Sequence, residues 1–98
     1  MTLNLTKMAD EIMAAGVFSI NKMPRIVLVT ARELGCGTDG EYHPFGEVIY
    51  IRRRPIGGSL KFVLAHELAH HYQTENGLPL CERQADDLAF QAVGHGSY

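Results

Sequence analysis

Cysteine is scarce in this chain: 98 residues hold two, Cys36 and Cys81, and they form no CxxC spacing. That excludes a thiolate zinc knuckle, and with nothing to support a disulfide it fits a reducing compartment. No apolar run approaches the roughly 18 residues that a membrane span requires. Lys7, Asp10 and Glu11 interrupt the N-terminal apolar stretch where a signal peptide would need its hydrophobic segment. A cytoplasmic location without a membrane partner is therefore expected. Positive charge is not in excess either. Lys and Arg number 9 against 11 Asp and Glu, a formal net charge of -2, whereas direct nucleic-acid binding calls for a strongly basic face. The one basic run, Arg52-Arg53-Arg54, is flanked by Pro55 and Gly57-Gly58 and is read as a solvated loop. Repeats and low-complexity segments are also missing. What remains is an ordinary globular composition, 46% hydrophobic and 20% charged, which excludes disorder. The length suffices for one core, so residues 1–98 are expected to form a single domain, to which a bound metal would add useful stability.

The hydrophobic pattern predicts an α+β fold. Leu5, Met8, Ile12 and Ala15 recur at helical spacing over residues 3–15, opposite Lys7, Asp10 and Glu11, with Gly16 as a stop. After Pro24, Ile26-Val27-Leu28-Val29 is short, apolar and β-branched, as in a strand buried on both faces. A turn cluster at 35–40 leads to a short strand at Glu41-Tyr42-His43, which Pro44 confines to a sheet edge, and then to a firm strand from Glu47 to Arg52. A small, mainly antiparallel sheet of about three strands is expected. From Ser59, a plausible N-cap, the period becomes helical through Phe62, Leu64 and Leu68 to about Glu75. Its apolar residues point several ways, the mark of a helix with little free surface. Asn76-Gly77 stops it, and a last helix from about Leu80 to Val93 ends at Gly94.

Within the buried helix lies His66-Glu67-Leu68-Ala69-His70. Residues four apart on a helix stand one above the other, so both imidazoles project from one face, at a separation that suits one tetrahedral zinc ion. Glu67 is offset by about 100°, where it reaches a metal-bound water but is poorly placed to chelate. Two histidines and a glutamate are costly on the most apolar helix of a small core unless they have a purpose.

A catalytic zinc site needs a third protein ligand and an open position. The HExxHxxGxxH pattern would require a glycine at position 73 and a histidine at position 76, where the chain has Gln73 and Asn76. Glu75 turns away from His70, and an i,i+4 pairing with His71 on the outer face accounts for it. Glu82 is the remaining candidate. Asn76-Gly77-Leu78-Pro79 can fold the last helix back across the first, and Ala85 is small enough for close approach. Asp86, one turn beyond Glu82, is placed to accept the free N–H of a ligand histidine. The alternative has Asp86 or Asp87 on the metal and Glu82 in solvent.

HELAHH followed by ERQADDLA resembles the gluzincin signature of HExxH plus ExxxD, and more narrowly the ImmA/IrrE-type metallopeptidases, with their E-x-x-A-[DN]-x-x-A run. The resemblance spans roughly residues 26–93 and includes a Gly-x-Tyr turn at Gly40-Glu41-Tyr42 and the strand Ile49-Tyr50-Ile51. The glycine common before the second histidine is Ala69 here, and the helix-turn-helix or other appended domain of many members has no counterpart. The resemblance implies one catalytic Zn2+ on His66, His70 and Glu82, with Glu67 as base and then acid, cleaving an amide without a covalent intermediate. It also implies a protein or peptide substrate, with a transcriptional repressor as one target class.

Such sites commonly add a donor to the developing oxyanion. Tyr42, Tyr72, His95 and Tyr98 are candidates, Tyr72 being better explained as core. Substrate is expected to add as a strand along the edge at Glu41–Phe45. Two other functions compete: a zinc-stabilised binding or antirepressor module that cleaves nothing, and a hydrolase of some other amide or ester. Glu67 speaks against a purely structural site, which needs four ligands and no base. Oligomeric state has no signature in the sequence.

Overall fold

The helix that carries HELAH is the centre around which the other elements pack. The computed structural model describes residues 4–34, 37–56 and 59–94. In chain order the elements are α1 (Leu5–Ala14), β1 (Arg25–Val29), α2 (Ala31–Leu34), β2 (Gly40–His43), β3 (Val48–Arg52), α3 (Leu60–Glu75) and α4 (Glu82–Val93). This is an α+β fold of four helices and a three-stranded mixed sheet. Among the described residues, no helix is long and apolar enough to cross a membrane.

Ser59 caps α3 as its residue type predicts, with Oγ accepting the Phe62 N–H at 3.0 Å. The far end closes in a Schellman turn. Leu78 N–H reaches the Gln73 carbonyl at 2.8 Å and Gly77 N–H reaches Thr74 at 3.2 Å, while Gly77 takes the positive φ of 69° that the turn demands. That turn sends the chain back, and α4 lies against α3 with Ala85 and Ala89 fully buried between them. The sheet covers another side of α3, where Ile49 and Ile51 are 0% exposed. Ala9 and Ile12 of α1 complete the core with Leu64 and Leu68. α3 therefore buries residues all round.

Two expectations about the sheet are overturned. Its order is β1-β3-β2, with β1 parallel to β3 and β2 antiparallel to β3, so it is mixed rather than mainly antiparallel. β2 and β3 form a hairpin, and β1 runs in the same direction as β3. Because β1 adds to the β3 edge of that hairpin rather than the β2 edge, the pairing is parallel. β1 is also an edge strand, with Ile26, Val27 and Leu28 only partly buried, not a strand enclosed on both faces. The sheet face away from α3 is overlain only in part, by the short α2. The edge position expected for Glu41-Tyr42-His43 is observed. The Arg run splits: Arg52 ends β3, and Arg53 and Arg54 are exposed beyond it.

Candidate metal centre

α3 presents His66 and His70 one turn apart, their ring centroids 4.7 Å apart and their planes nearly perpendicular at 86°. α4 brings Glu82 across both. Its Oε2 lies 2.8 Å from His66 Nε2 and its Oε1 lies 3.2 Å from His70 Nε2. One ligating atom from each of the three residues lies within 4.8 Å of the others, so the group could hold a metal ion. Tetrahedral zinc with bonds of about 2.0–2.2 Å needs ligand atoms about 3.3–3.6 Å apart. Two imidazole nitrogens and a carboxylate oxygen are a donor set such an ion accepts, and the Nε2–carboxylate spacings of 2.8 and 3.2 Å fall a little short of that value.

Each histidine is held from behind. His66 Nδ1 is 2.7 Å from Asp86 Oδ1, the contact expected from the spacing in α4. His70 Nδ1 is 2.9 Å from Gln73 Oε1, a partner the sequence reading passed over. The signal was present, since Gln73 stands three residues after His70 on a helix with little free surface. Asp87 is exposed, and Glu82 rather than either aspartate meets the paired Nε2 atoms. Crowding by neighbouring atoms acts to raise the Glu82 carboxyl, but the charges and N–H groups of His70 and His66 together outweigh it and hold it below the usual carboxylate range.

Glu67 is 7% exposed. Burial pushes its carboxyl up to about 8, and the negative charges of Glu82 and Glu41 add to the shift. Among the described residues, none donates a hydrogen bond to it. Gly40 of β2 passes directly over it: a Cβ at that position would stand 3.0 Å from Glu67 Oε2 and 3.0 Å from Val63 Cγ1. The missing side chain lets the sheet edge run against the helix at this point. Two clefts meet at Gly40 and Glu67. One of about 330 Å³ is bounded by Gly37–Gly40, Phe62, Val63 and His66, and one of about 220 Å³ by Tyr42, His70, Leu80 and Glu82.

His71 departs from expectation. It does pair with Glu75, at 3.4 Å, but it is fully buried rather than on the outer face. Its Nε2 lies 2.7 Å from the Lys22 carbonyl, which can only accept, so this nitrogen carries a proton. In the neutral ring Nδ1 then accepts, and the Tyr42 hydroxyl 2.8 Å away donates to it. Tyr42 borders the second cleft, yet its proton is committed to His71. Burial raises the Tyr42 hydroxyl above its ordinary value, against a hydrogen bond with Thr74. Tyr72 packs against Phe18 with ring centroids 5.6 Å apart, as a core residue does. His95, Tyr98 and Cys36 lie outside the described residues, and Cys81 is an exposed free thiol.

No family model matches the chain, and no curated protein or solved structure matches it either.

Proposed function

We propose that the protein is a zinc-dependent endopeptidase of the HExxH gluzincin type, similar to the ImmA/IrrE-type enzymes, acting on a specific intracellular protein. The convergence of His66 Nε2, His70 Nε2 and the Glu82 carboxylate beside the buried Glu67, to which no described residue donates a hydrogen bond, carries this reading. Zinc held there would supply an acidified water and a polarised carbonyl. Glu67 would serve as the base that takes up the water's proton and as the acid that returns it to the departing amine. Its raised pKa suits it to hold a proton within the site. A bound cation would work against that shift and favour the carboxylate that begins the cycle.

The sheet edge supports a peptide as substrate. Arg52 N–H donates to the Asp39 carbonyl at 2.8 Å, so Asp39 and Arg52 are a hydrogen-bonded pair of the antiparallel ladder. Such pairs alternate, which makes Glu41 with Tyr50 and His43 with Val48 the next ones in register. The backbone N–H and C=O of Gly40 and Tyr42 then face away from β3. An extended peptide pairs with those groups and passes over Glu67 between the two clefts.

Glu67→Gln is the discriminating variant. It is expected to bind Zn2+ as the wild type does and to lose peptide turnover by about 10²–10⁴-fold. Mass spectrometry of cellular proteins cut by the wild type and spared by Glu67→Gln tests activity and substrate together. If the biological effect survives in Glu67→Gln, the protein is a zinc-stabilised binding module instead.

A further inference from the structure

The side chain of Gln73 is 0% exposed and makes four hydrogen bonds in the seam between α3 and α4. Its Oε1 accepts from Cys81 N–H at 3.2 Å, and its Nε2 donates to the Cys81 carbonyl at 3.0 Å. Nε2 also donates to Gln84 Oε1 at 2.8 Å. The remaining bond joins Oε1 to His70 Nδ1 at 2.9 Å.

These contacts leave the amide one orientation. A backbone N–H can only donate and a backbone carbonyl can only accept, so Cys81 dictates which end of the amide is oxygen. The oxygen end is the one that faces His70. An amide oxygen accepts only, so His70 must carry a proton on Nδ1, and Nε2, which faces Glu82 and the cleft, is the ring atom left to ligate a cation. Cys81 is also the residue immediately before Glu82 and the N-cap of α4, and its own side chain makes no cap bond. Gln73 therefore holds the start of α4 at both polar atoms of one peptide residue.

We propose that Gln73 is a positioning residue for the metal centre, setting two of its three ligands at once: His70 by fixing its tautomer and ring orientation, and Glu82 by anchoring the adjacent residue of α4. This rests on the metal-site reading above, which it deepens. Asp86 acts on His66 alone, whereas Gln73 couples ligands from two helices. A staple that merely closed the α3–α4 turn would have no reason to face a ligand histidine.

The test uses the full chain and Zn2+, with affinity measured by competition against a chromophoric chelator. Gln73→Met keeps length and volume while removing all four bonds. It is expected to bind Zn2+ about 10- to 100-fold more weakly. It should also lose the slowly exchanging His70 Nδ1 proton in the NMR spectrum of the zinc-loaded protein. Gln73→Glu retains the acceptor towards His70 and Cys81 N–H but sets a carboxylate oxygen against the Cys81 carbonyl, so it should restore that proton and only part of the affinity. Wild-type affinity in Gln73→Met overturns the proposal, as does a Gln73→Glu variant that lacks the protected His70 Nδ1 proton. Should Gln73→Met not fold, Gln73→Glu decides alone: a folded variant without the protected proton overturns the proposal. Wild-type protein that binds no Zn2+ would instead overturn the metal-site reading and this inference with it.

Discussion

His70 and His71 are neighbours on α3, and they belong to two different kinds of polar cluster. His71 sits in a closed circuit. Its Nε2–H meets the Lys22 carbonyl, its Nδ1 accepts a hydrogen bond from the Tyr42 hydroxyl, and Glu75 lies beside it while accepting Asn21 and Lys22 N–H at 2.9 and 2.8 Å. Donors face acceptors throughout, and nothing is left over. Around His70 the pattern is the reverse. The Nδ1 atoms of His66 and His70 are tied outwards to Asp86 and Gln73, so two Nε2 atoms and a carboxylate converge on one another. Acceptors brought together this way repel unless protons or a cation come between them. A buried histidine is therefore weak evidence of a site, whereas convergent acceptors are strong evidence.

The sharpest way to break this comparison is to remove each histidine separately. His70→Ala should reduce Zn2+ affinity on the order of 10³-fold or more, since it deletes a ligand outright. His71→Phe should leave Zn2+ affinity within a few-fold and instead lower the free energy of unfolding by about 2–4 kcal/mol, because it strands the Lys22 carbonyl and the Tyr42 hydroxyl. Chelator competition and urea unfolding of both variants measure the two effects. If His71→Phe loses zinc as His70→Ala does, the clusters are one unit.

Gly40→Val tests the groove rather than the ligands. The added side chain meets Glu67 and Val63 at distances where neighbours must move by a few tenths of an ångström or more. Peptide turnover should fall about 100-fold from misplacement of Glu67, with Zn2+ affinity unchanged. Equal loss of both would mean that Gly40 supports the fold and not the placement of Glu67. Asp86→Ala is milder: Zn2+ affinity should fall about tenfold, because His66 keeps its place on the helix but loses the partner of its Nδ1.

Legibility in the sequence divides along similar lines. Local signals carried most of α3 and α4, since Ser59, Gly77 and Gly94 act through short-range hydrogen bonds and φ preferences that single residues reveal. The grouping of His66, His70 and Glu82 followed from the i,i+4 spacing in α3 and the placement of Glu82 and Asp86 in α4. α2 was missed although its signal is short-range too. Thr30 and Glu33 form a reciprocal capping box, with Glu33 Oε1 accepting both Thr30 N–H and Oγ1–H at 3.0 Å. The same contacts hold the exposed Glu33 carboxyl below its ordinary range, the Thr30 backbone N–H contributing most. The parallel β1–β3 pairing left no trace because either edge of the hairpin satisfies the hydrophobic pattern of β1. The inward direction of His71 and Gln73 was hidden for a related reason. Periodicity locates a buried face by contrast with an exposed one, and α3 offers little contrast.

The smallest expected effect is a pH dependence confined to the closed cluster. Burial acts to raise the Glu75 carboxyl, but the Lys22 and Asn21 N–H groups and the neighbouring His71 together outweigh it and hold it below its ordinary value of 4.5. A carboxyl with a lowered pKa in the folded protein adds stability above the pKa of the unfolded chain and loses it as pH falls through the folded value. The difference in unfolding free energy between wild type and Glu75→Gln should therefore be constant near neutral pH, at about 1 kcal/mol, and shrink only below about 4.5. His71, Tyr42 and Lys22 are the ionisable groups around it. Unfolding curves for the two proteins between pH 3 and 7 decide the point. A gap that stays open at pH 3 would show that Glu75 acts through shape rather than charge, leaving the closed cluster held by His71 and its two neutral partners.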